Sequence, residues 1–199
     1  MAQTIYFVRH GQKEKHPGDP SLTDLGIRQA KATANYFKDK TIDALYSSPL
    51  LRTKETAQYI NVNFGLNLII EQRLYERLNW GDRKGETFEE FWQLWQKTDL
   101  DRNFKPPKSR SSNQTGRDVL EFCNQVLADK NIKSILMATH GGTIGDFLRI
   151  VFDNSLLPTK TNPENQAQYI EVNECSITEV EKHGSNYILK RLNDTSHLI

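Results

Sequence analysis

Residues 5–12 of the chain, IYFVRHGQ, combine a strand pattern with polar chemistry at its end. The first four residues are apolar and mostly β-prone, which is typical of a strand buried on both faces and therefore of a parallel sheet. Arg9, His10 and Gly11 follow directly. Because ligands of open parallel sheets bind beyond the carboxyl ends of the strands, this stretch predicts both a fold class and the place of a site.

Strand and helix patterns alternate along most of the remaining chain. Short apolar strands are predicted at 44–47, 68–70 and 135–139, and helices at 23–38, 48–60 and 86–98 and from about residue 115 onward. The alternation predicts an α/β fold, a three-layer sandwich with a mostly parallel central sheet covered by helices on both faces. At 199 residues the chain is expected to form a single domain over 1–199, with a short cap-like insertion at about 77–113.

Two helix starts are predicted from capping residues. Ser48 and Pro49 fit the N-cap and first position of the second helix. Thr115 and Asp118 have the spacing of a capping-box variant for a later helix. Near the carboxyl end, residues 183–186 fit the turn of a β-hairpin.

Composition excludes several classes of partner. The 26 basic and 25 acidic residues give a net charge of +1, which argues against a nucleic-acid-binding protein. Cys123 and Cys175 lie far apart and match no metal spacing, so free thiols in a reducing compartment are expected. With no leader pattern and no apolar run of membrane-spanning length, we expect a cytoplasmic protein without a membrane partner. The sequence does not indicate an oligomeric state.

Three predicted strands end in residues suited to one anion. Arg9 and His10 follow the first strand, Arg52 follows the second within the first turn of a helix, and His140 with Gly141 follows the fourth. A guanidinium near a helix N-terminus favours a phosphate, and glycines let the backbone approach a ligand closely. Cationic groups gathered at apolar strand ends would repel one another unless an anion lay among them, so the pattern predicts a phosphate pocket.

Four motifs carry a resemblance to a known family. In order along the chain, Arg9-His10-Gly11, SSPLLRTKETA at 47–57, the segment around Glu76 and THGG at 139–142 resemble the histidine phosphatase superfamily, which includes cofactor-dependent phosphoglycerate mutases and many phosphatases. The resemblance spans essentially the whole chain. The loop at 12–20 is short and lacks the asparagine of the mutases, which favours the phosphatase branch.

The resemblance implies a role for each matched residue. His10 would be the nucleophile that forms a phosphohistidine, while Arg9, Arg52 and His140 would hold the phosphoryl oxygens. Glu76 would donate and then accept the proton, with Asp82 as a rival because the glutamate and glycine of the mutases lie one residue closer. No metal or cofactor is expected. Further substrate contacts are predicted at Gly11, Gln12, Arg77 and Gly141, although a surface charge is as good an interpretation of Arg77.

The aromatic helix at 86–98 has two interpretations. Phe88, Phe91, Trp92 and Trp95 recur at helical spacing, which usually indicates a stripe packed on the core. The alternative is a partial lid that shapes the pocket for the leaving group. We favour the core interpretation here.

The leading functional prediction is a metal-independent phosphomonoester hydrolase that acts on a phosphorylated small molecule. Two alternatives share its chemistry: a phosphoglycerate mutase-type phosphoryl transferase, and a phosphatase acting on phosphohistidine in a phosphoprotein. A third, of another class, is a catalytically silent protein that binds phosphorylated ligands. The matched nucleophile, arginines and acid argue against this last alternative, because a binding module needs no nucleophile.

Overall fold

The structure, a computed structural model, describes residues 2–198. Strands and helices alternate through the first three quarters of the chain, and a long antiparallel hairpin follows. The strands are β1 (Gln3–Arg9), β2 (Ala44–Ser47), β3 (Leu68–Ile70), β4 (Ser134–Thr139), β5 (Lys160–Thr161), β6 (Gln168–Tyr169), β7 (Ile177–His183) and β8 (Asn186–Asp194). The helices are α1 (Asp24–Phe37), α2 (Leu51–Asn61), α3 (Phe88–Leu100), α4 (Ser112–Val126) and α5 (Gly141–Val151), with 3₁₀ turns at Gln72–Leu74, Asn154–Leu156 and Ser196–Leu198.

The central sheet has the strand order β3-β2-β4-β1-β7-β8. Strands β1 to β4 are mutually parallel, and β7 and β8 extend the sheet in antiparallel fashion. The carboxyl ends of β1, β4 and β2 are level, since Arg9 pairs with Thr139, and Ala138 lies between Val8 and Ser47. The predicted mostly parallel sheet is confirmed, and its register brings three strand ends to one edge.

Helices cover both faces of the sheet. On one face, Ile5 and Phe7 of β1 pack with α4 and α5, and the rings of Phe7 and Phe147 lie 4.8 Å apart. On the other face, Tyr6 packs with α1 and α2, and its ring meets that of Phe37 at 5.3 Å. Fully burying each such side chain contributes about 1.5–3 kcal/mol, so β1 is held from both sides. The predicted three-layer sandwich is confirmed.

Two predicted helix starts are wrong. The second helix begins at Leu51 rather than after Ser48, whose hydroxyl contacts a histidine ring instead of capping the helix. Helix α4 begins at Ser112, and the side chain of Ser111 accepts a hydrogen bond from the backbone N–H of Gln114. Thr115 already lies in the first turn, where its hydroxyl donates to the carbonyl of Ser111. Tertiary contact of Ser48 decided the first boundary, whereas a local cap by Ser111, four residues before Thr115, decided the second.

The carboxyl-terminal part closes the fold as expected. The turn between β7 and β8 consists of Gly184 and Ser185, which confirms the predicted hairpin. Cys123 and Cys175 are free, buried thiols. Among residues 2–198, none of the helices is long and apolar enough to cross a membrane.

Candidate active site

The three level strand ends bring four polar side chains into one buried cluster. Arg9 is the last residue of β1 and His10 follows it, His140 follows β4, and Arg52 extends from the first turn of α2. The rings of His10 and His140 lie 5.2 Å apart, and the Arg52 guanidinium contacts both. These contacts join three of the four groups directly, and Arg9 lines the same cavity as His10.

His10 is held as a neutral imidazole whose Nε2 is unprotonated. Its Nδ1 lies 2.8 Å from the carbonyl oxygen of Gly11, which can only accept, so Nδ1 carries the proton. Its Nε2 accepts from Nε of Arg52 at 3.2 Å. Burial, followed by the charges of Arg52 and Arg9, lowers the pKa of His10 well below its ordinary value of 6.5. At neutral pH the lone pair of Nε2 is therefore available as a nucleophile.

Both ring nitrogens of His140 also have polar partners. Its Nε2 lies 2.8 Å from the hydroxyl of Ser48, and its Nδ1 faces Nη2 of Arg52 at 3.4 Å. Burial, then the charges of Arg52 and His10, lowers its pKa well below 6.5 as well. Ser48 is a site residue that sequence reasoning missed, because its position before a proline suggested a helix cap.

Each arginine keeps an unused donor. Arg52 donates from Nη2 to the side-chain oxygen of Asn79 at 3.0 Å, and its buried Nη1 has no partner in the described chain. Arg9 donates to the carbonyl of Val172 at 2.6 Å, and its buried Nε is likewise unpartnered among residues 2–198. Buried donors without partners are uncommon, so these two donors are candidates for contact with a bound anion.

The N-terminus of α2 does not supply the predicted free N–H groups. The backbone N–H of Leu51 donates to the Asp19 carboxylate at 2.6 Å. A residue of the loop after β1 therefore already occupies the positive end of this helix. Arg52 contributes through its side chain rather than through its place on the helix.

Glu76 lies at the N-terminus of α5, on the wall of the cavity that contains His10. Its Oε2 accepts from the backbone N–H of Gly142 at 3.1 Å, while its Oε1 accepts from that of Arg77 at 3.0 Å and from the Thr143 hydroxyl at 3.2 Å. A Cβ at Gly142 would come within 2.5 Å of the carboxylate, so a larger residue here would displace the Glu76 side chain. Three donors thus fix the carboxylate in one orientation.

The rival carboxylate, Asp82, has another environment. Its oxygens accept from the Tyr75 hydroxyl at 2.9 Å and from the side-chain amide of Asn79 at 3.0 Å. Since Asn79 also accepts from Arg52, Asp82 supports the orientation of Arg52 through a second residue. Of the two carboxylates, Glu76 is the one that lines the cavity with His10.

Of three other predicted substrate contacts, two engage in packing and one lines the cavity. A Cβ at Gly11 would come within 2.6 Å of the carbonyl oxygen of Gly26, so this glycine allows β1 to approach α1 rather than a ligand. The side-chain oxygen of Gln12 accepts from the Thr23 hydroxyl at 2.9 Å, at the start of α1. Gly141 lines the cavity, next to the aliphatic part of Arg9.

Arg77 is not a surface charge, so that interpretation is wrong. Its side chain is 6% exposed and forms ion pairs with Asp146 at 3.0 Å and with Asp99. The guanidinium also lies 4.1 Å from the centre of the Trp95 ring. Arg77 lines the cavity beside Glu76, with its charge already balanced by two carboxylates.

The cavity of about 510 Å³ is much larger than a phosphate and extends toward helix α3. The core interpretation of this helix is wrong: Phe88 is 55% exposed, Trp92 is 37% exposed, and Thr98 is the buried residue of the helix. Trp92 and Trp95 line the cavity. Among residues 2–198, no group of three or more His, Cys, Asp or Glu side chains is arranged to hold a metal ion.

Comparisons with known proteins show the family and the fold. The sequence model of the histidine phosphatase superfamily (branch 1) matches residues 5–195. The chain is 28% identical to "Putative phosphoserine phosphatase 2" of Hydrogenobacter thermophilus, over 97% of this chain and 96% of that one. It is 27% identical to "Probable phosphoglycerate mutase GpmB" of Yersinia pestis, over 98% and 94%. The solved structure of YhfR from Bacillus stearothermophilus has a TM-score of 0.77 at 19% identity, over 99% and 100%, and shares the fold.

Proposed function

The chain belongs to the histidine phosphatase superfamily (branch 1), and on that premise we propose that it hydrolyses phosphomonoesters without a metal ion, through a phosphohistidine on His10. One observation carries the proposal. The Nε2 lone pair of a buried, neutral His10 faces the Arg52 guanidinium, in a cavity that Glu76 also lines. Phosphorylated small molecules fit the cavity volume of about 510 Å³.

In the first step, Nε2 of His10 attacks phosphorus and the bond from phosphorus to the ester oxygen breaks. Glu76, in its protonated form, gives its proton to the departing alkoxide, and an alcohol leaves. The carbonyl of Gly11 accepts from Nδ1 of His10 throughout, which stabilises the positive charge that the ring gains on phosphorylation. This step leaves phosphohistidine and an ionised Glu76.

In the second step, water attacks the phosphorus of phosphohistidine. Glu76 takes a proton from that water, the bond from phosphorus to nitrogen breaks, and inorganic phosphate leaves. His10 returns to its neutral form and Glu76 to its protonated form. One carboxyl group thus serves both steps, and the three hydrogen bonds from Gly142, Arg77 and Thr143 keep it at one place.

Arg9, Arg52 and His140 hold the nonbridging oxygens. The unpartnered Nη1 of Arg52 and Nε of Arg9 are donors for them, and the contact of His140 with Nη2 of Arg52 keeps that guanidinium in place. Charge that moves onto these oxygens in the transition state is thereby stabilised by groups that are already in position. We infer that these side chains supply the positive charge for which other phosphatases use a metal ion.

Phosphoryl transfer is the second candidate function. The observation that favours it is the 27% identity to a protein named as a probable phosphoglycerate mutase. Against it stands the short loop at residues 12–20, since a transferase must keep water away from phosphohistidine. Activity that depends on a bisphosphorylated primer would favour transfer over hydrolysis.

The test is hydrolysis of p-nitrophenyl phosphate in excess EDTA by wild type, His10→Ala and Glu76→Gln. We expect wild-type turnover to persist and His10→Ala to lose at least about 10³-fold, because the nucleophile is gone. Glu76→Gln should lose more on an alkyl phosphate than on the aryl ester, whose leaving group needs less protonation. His183→Ala, in the exposed hairpin, is the matched control and should keep full activity.

Two results would overturn the mechanism. One is undiminished turnover by His10→Ala, and the other is loss of wild-type turnover in EDTA. If wild type hydrolyses no ester while still binding phosphomonoesters, the silent binding protein becomes the better interpretation.

A further inference from the structure

The hydroxyl of Thr56 lies between the loop that carries His10 and helix α2. Thr56 is one turn after Arg52 on that helix, and its side chain is fully buried. Its Oγ1 lies 3.1 Å from the backbone nitrogen of Gly11 and 2.7 Å from the carbonyl oxygen of Arg52. One partner follows the nucleophile in the chain, and the other carries the guanidinium that faces the nucleophile.

The single proton of the hydroxyl fixes the direction of both hydrogen bonds. The backbone N–H of Gly11 can only donate, and the carbonyl of Arg52 can only accept. Thr56 therefore gives its proton to Arg52 and accepts from Gly11. Donation by a threonine hydroxyl to the carbonyl four residues earlier is common in helices, whereas acceptance from a distant segment of the chain is a specific tertiary contact.

These two bonds close a hydrogen-bonded ring that includes the nucleophile. Gly11, held at its N–H by Thr56, accepts at its carbonyl from Nδ1 of His10 at 2.8 Å. Arg52, held at its carbonyl by Thr56, donates from Nε to Nε2 of His10 at 3.2 Å. Thr56 is thus linked to each ring nitrogen of His10 through one residue. A shift at its hydroxyl would change the position of the imidazole relative to the guanidinium.

Gly11 is the flexible member of this ring, because a glycine backbone has the widest conformational freedom. Its carbonyl keeps the proton of His10 on Nδ1, and leaves Nε2 as the nucleophile, while the residue is held in one conformation. A second contact acts on the peptide that follows, where the next backbone N–H donates to Oε1 of Gln29 at 2.8 Å. Thr56 differs from Gln29 because it also binds the backbone of α2.

We propose that Thr56 is a positioning residue, whose hydroxyl fixes Nε2 of His10 and the guanidinium of Arg52 in the relative position that attack on phosphorus requires. This inference rests on the proposed function. Thr56 acts through Gly11 and Arg52 rather than by contact with the reacting atoms. A misplacement of about 1 Å between reacting groups can cost about 10²-fold in rate, so a small shift at this hydroxyl is sufficient for a large effect.

The experiment compares variants that change a hydroxyl and little else. Thr56→Val removes the hydroxyl at nearly constant shape, and Thr56→Ser retains it. Thr178→Val is the matched control, since this buried threonine of β7 also accepts from a backbone N–H, that of Asn193 at 3.3 Å. Both valine variants leave a backbone N–H without its acceptor, so both should lower stability, which denaturant unfolding measures.

Steady-state hydrolysis of p-nitrophenyl phosphate gives the first readout. We expect Thr56→Val to lower kcat per folded molecule by about 10- to 100-fold, because attack on phosphorus needs exact alignment. The inhibition constant of inorganic phosphate should change by less than about threefold, since the guanidinium groups that bind it are retained. Thr56→Ser and Thr178→Val should keep kcat within about threefold of wild type.

The ring ¹⁵N NMR signals of His10, identified by their absence from His10→Ala, give a readout that needs no turnover. Wild type should show a protonated Nδ1 and an unprotonated Nε2 at neutral pH. In Thr56→Val the Gly11 carbonyl is no longer held, so both shifts should move toward a common average as the ring exchanges between tautomers. Thr178→Val should give the wild-type signals.

The proposal is overturned if Thr56→Val keeps the wild-type signals of His10, the result expected if Gln29 alone orients the Gly11 carbonyl. It is also overturned if the two valine variants lose the same fraction of kcat, because Thr56 would then only stabilise the fold. A Thr56→Ser variant as slow as Thr56→Val would contradict a role of the hydroxyl. Failure of the proposed function would appear instead as undiminished turnover by His10→Ala, on which the NMR comparison does not depend.

Discussion

The two ends of the cavity are built differently. At the phosphate end, His10, Arg52, Glu76 and His140 are between 0% and 8% exposed and lie at strand ends of the central sheet. At the leaving-group end, the walls are helix α3, the segment that follows it and the short β5–β6 hairpin, which is a separate two-stranded sheet. The first end is part of the core, and the second is attached to its edge.

This difference separates reaction from selectivity. Residues at the phosphate end are held by the packing of the sheet and by one another, so their geometry is hard to change without disturbing the fold. Residues at the leaving-group end belong to peripheral segments, which tolerate change more readily. We therefore expect substitutions at the first end to affect every substrate, and those at the second to affect particular ones.

Arg52→Met should produce the largest effect among the tests of this comparison. We expect kcat/KM to fall by about 10²- to 10³-fold for aryl and alkyl phosphates alike, since the guanidinium serves the phosphoryl group that all of them share. Steady-state kinetics on three esters with different alcohols would measure it. Arg28→Met, in an exposed position of α1, is the control. If kcat/KM fell for only one of the three esters, Arg52 would belong to the leaving-group end of the cavity instead.

The second prediction concerns stability at low pH. Because the folded-state pKa of His140 lies well below 6.5, the unfolded chain takes up a proton there that the folded chain does not. The contribution to the free energy of unfolding is therefore complete above pH 6.5 and is lost as pH falls, with a limiting slope of about 1.4 kcal/mol per pH unit for each such histidine. His10 acts in the same direction, and its pKa is lowered by the same causes.

Denaturant unfolding of wild type and His140→Asn between pH 5 and 7.5 would measure this slope. The variant should lose pH dependence relative to wild type, whereas His183→Asn in the exposed hairpin should not. Asp146, with its pKa raised to about 6, changes stability in the opposite direction over part of this range. Because wild type and variants all contain Asp146, subtracting their free energies of unfolding at each pH removes its effect. Equal slopes for wild type and His140→Asn would contradict a buried, neutral His140.

The smallest effect is expected from Trp92→Ala. Since Trp92 is 37% exposed on α3, its loss should lower the free energy of unfolding by less than about 1 kcal/mol, against about 3–5 kcal/mol for Phe147→Ala in the core. Changes in kcat/KM should stay within about tenfold and depend on the alcohol. Denaturant melts of both variants check this comparison. If Trp92→Ala were as destabilising as Phe147→Ala, α3 would count as part of the core after all.

Sequence patterns predicted the phosphate end well and the leaving-group end poorly. The strand ending at Arg9 could be predicted because its apolar run and the polar residues after it are adjacent in the chain. The aromatic residues of α3 have a helical period, but a period does not tell which surface the stripe faces. The sequence could not decide between a substrate contact and a surface charge for Arg77, because its partners Asp99 and Asp146 are distant in sequence.

The amino-acid sequence by itself determined the α/β class, the parallel core and the placement of His10 and His140 at the ends of two strands. These properties follow from hydrophobic patterns and from residues next to one another. Only the tertiary structure decided that Ser48 holds His140, that Gly11 serves packing against Gly26, and that Arg77 pairs with Asp99 and Asp146. Such contacts join residues far apart in the chain, and they depend on strand order, register and side-chain burial, which no local pattern contains.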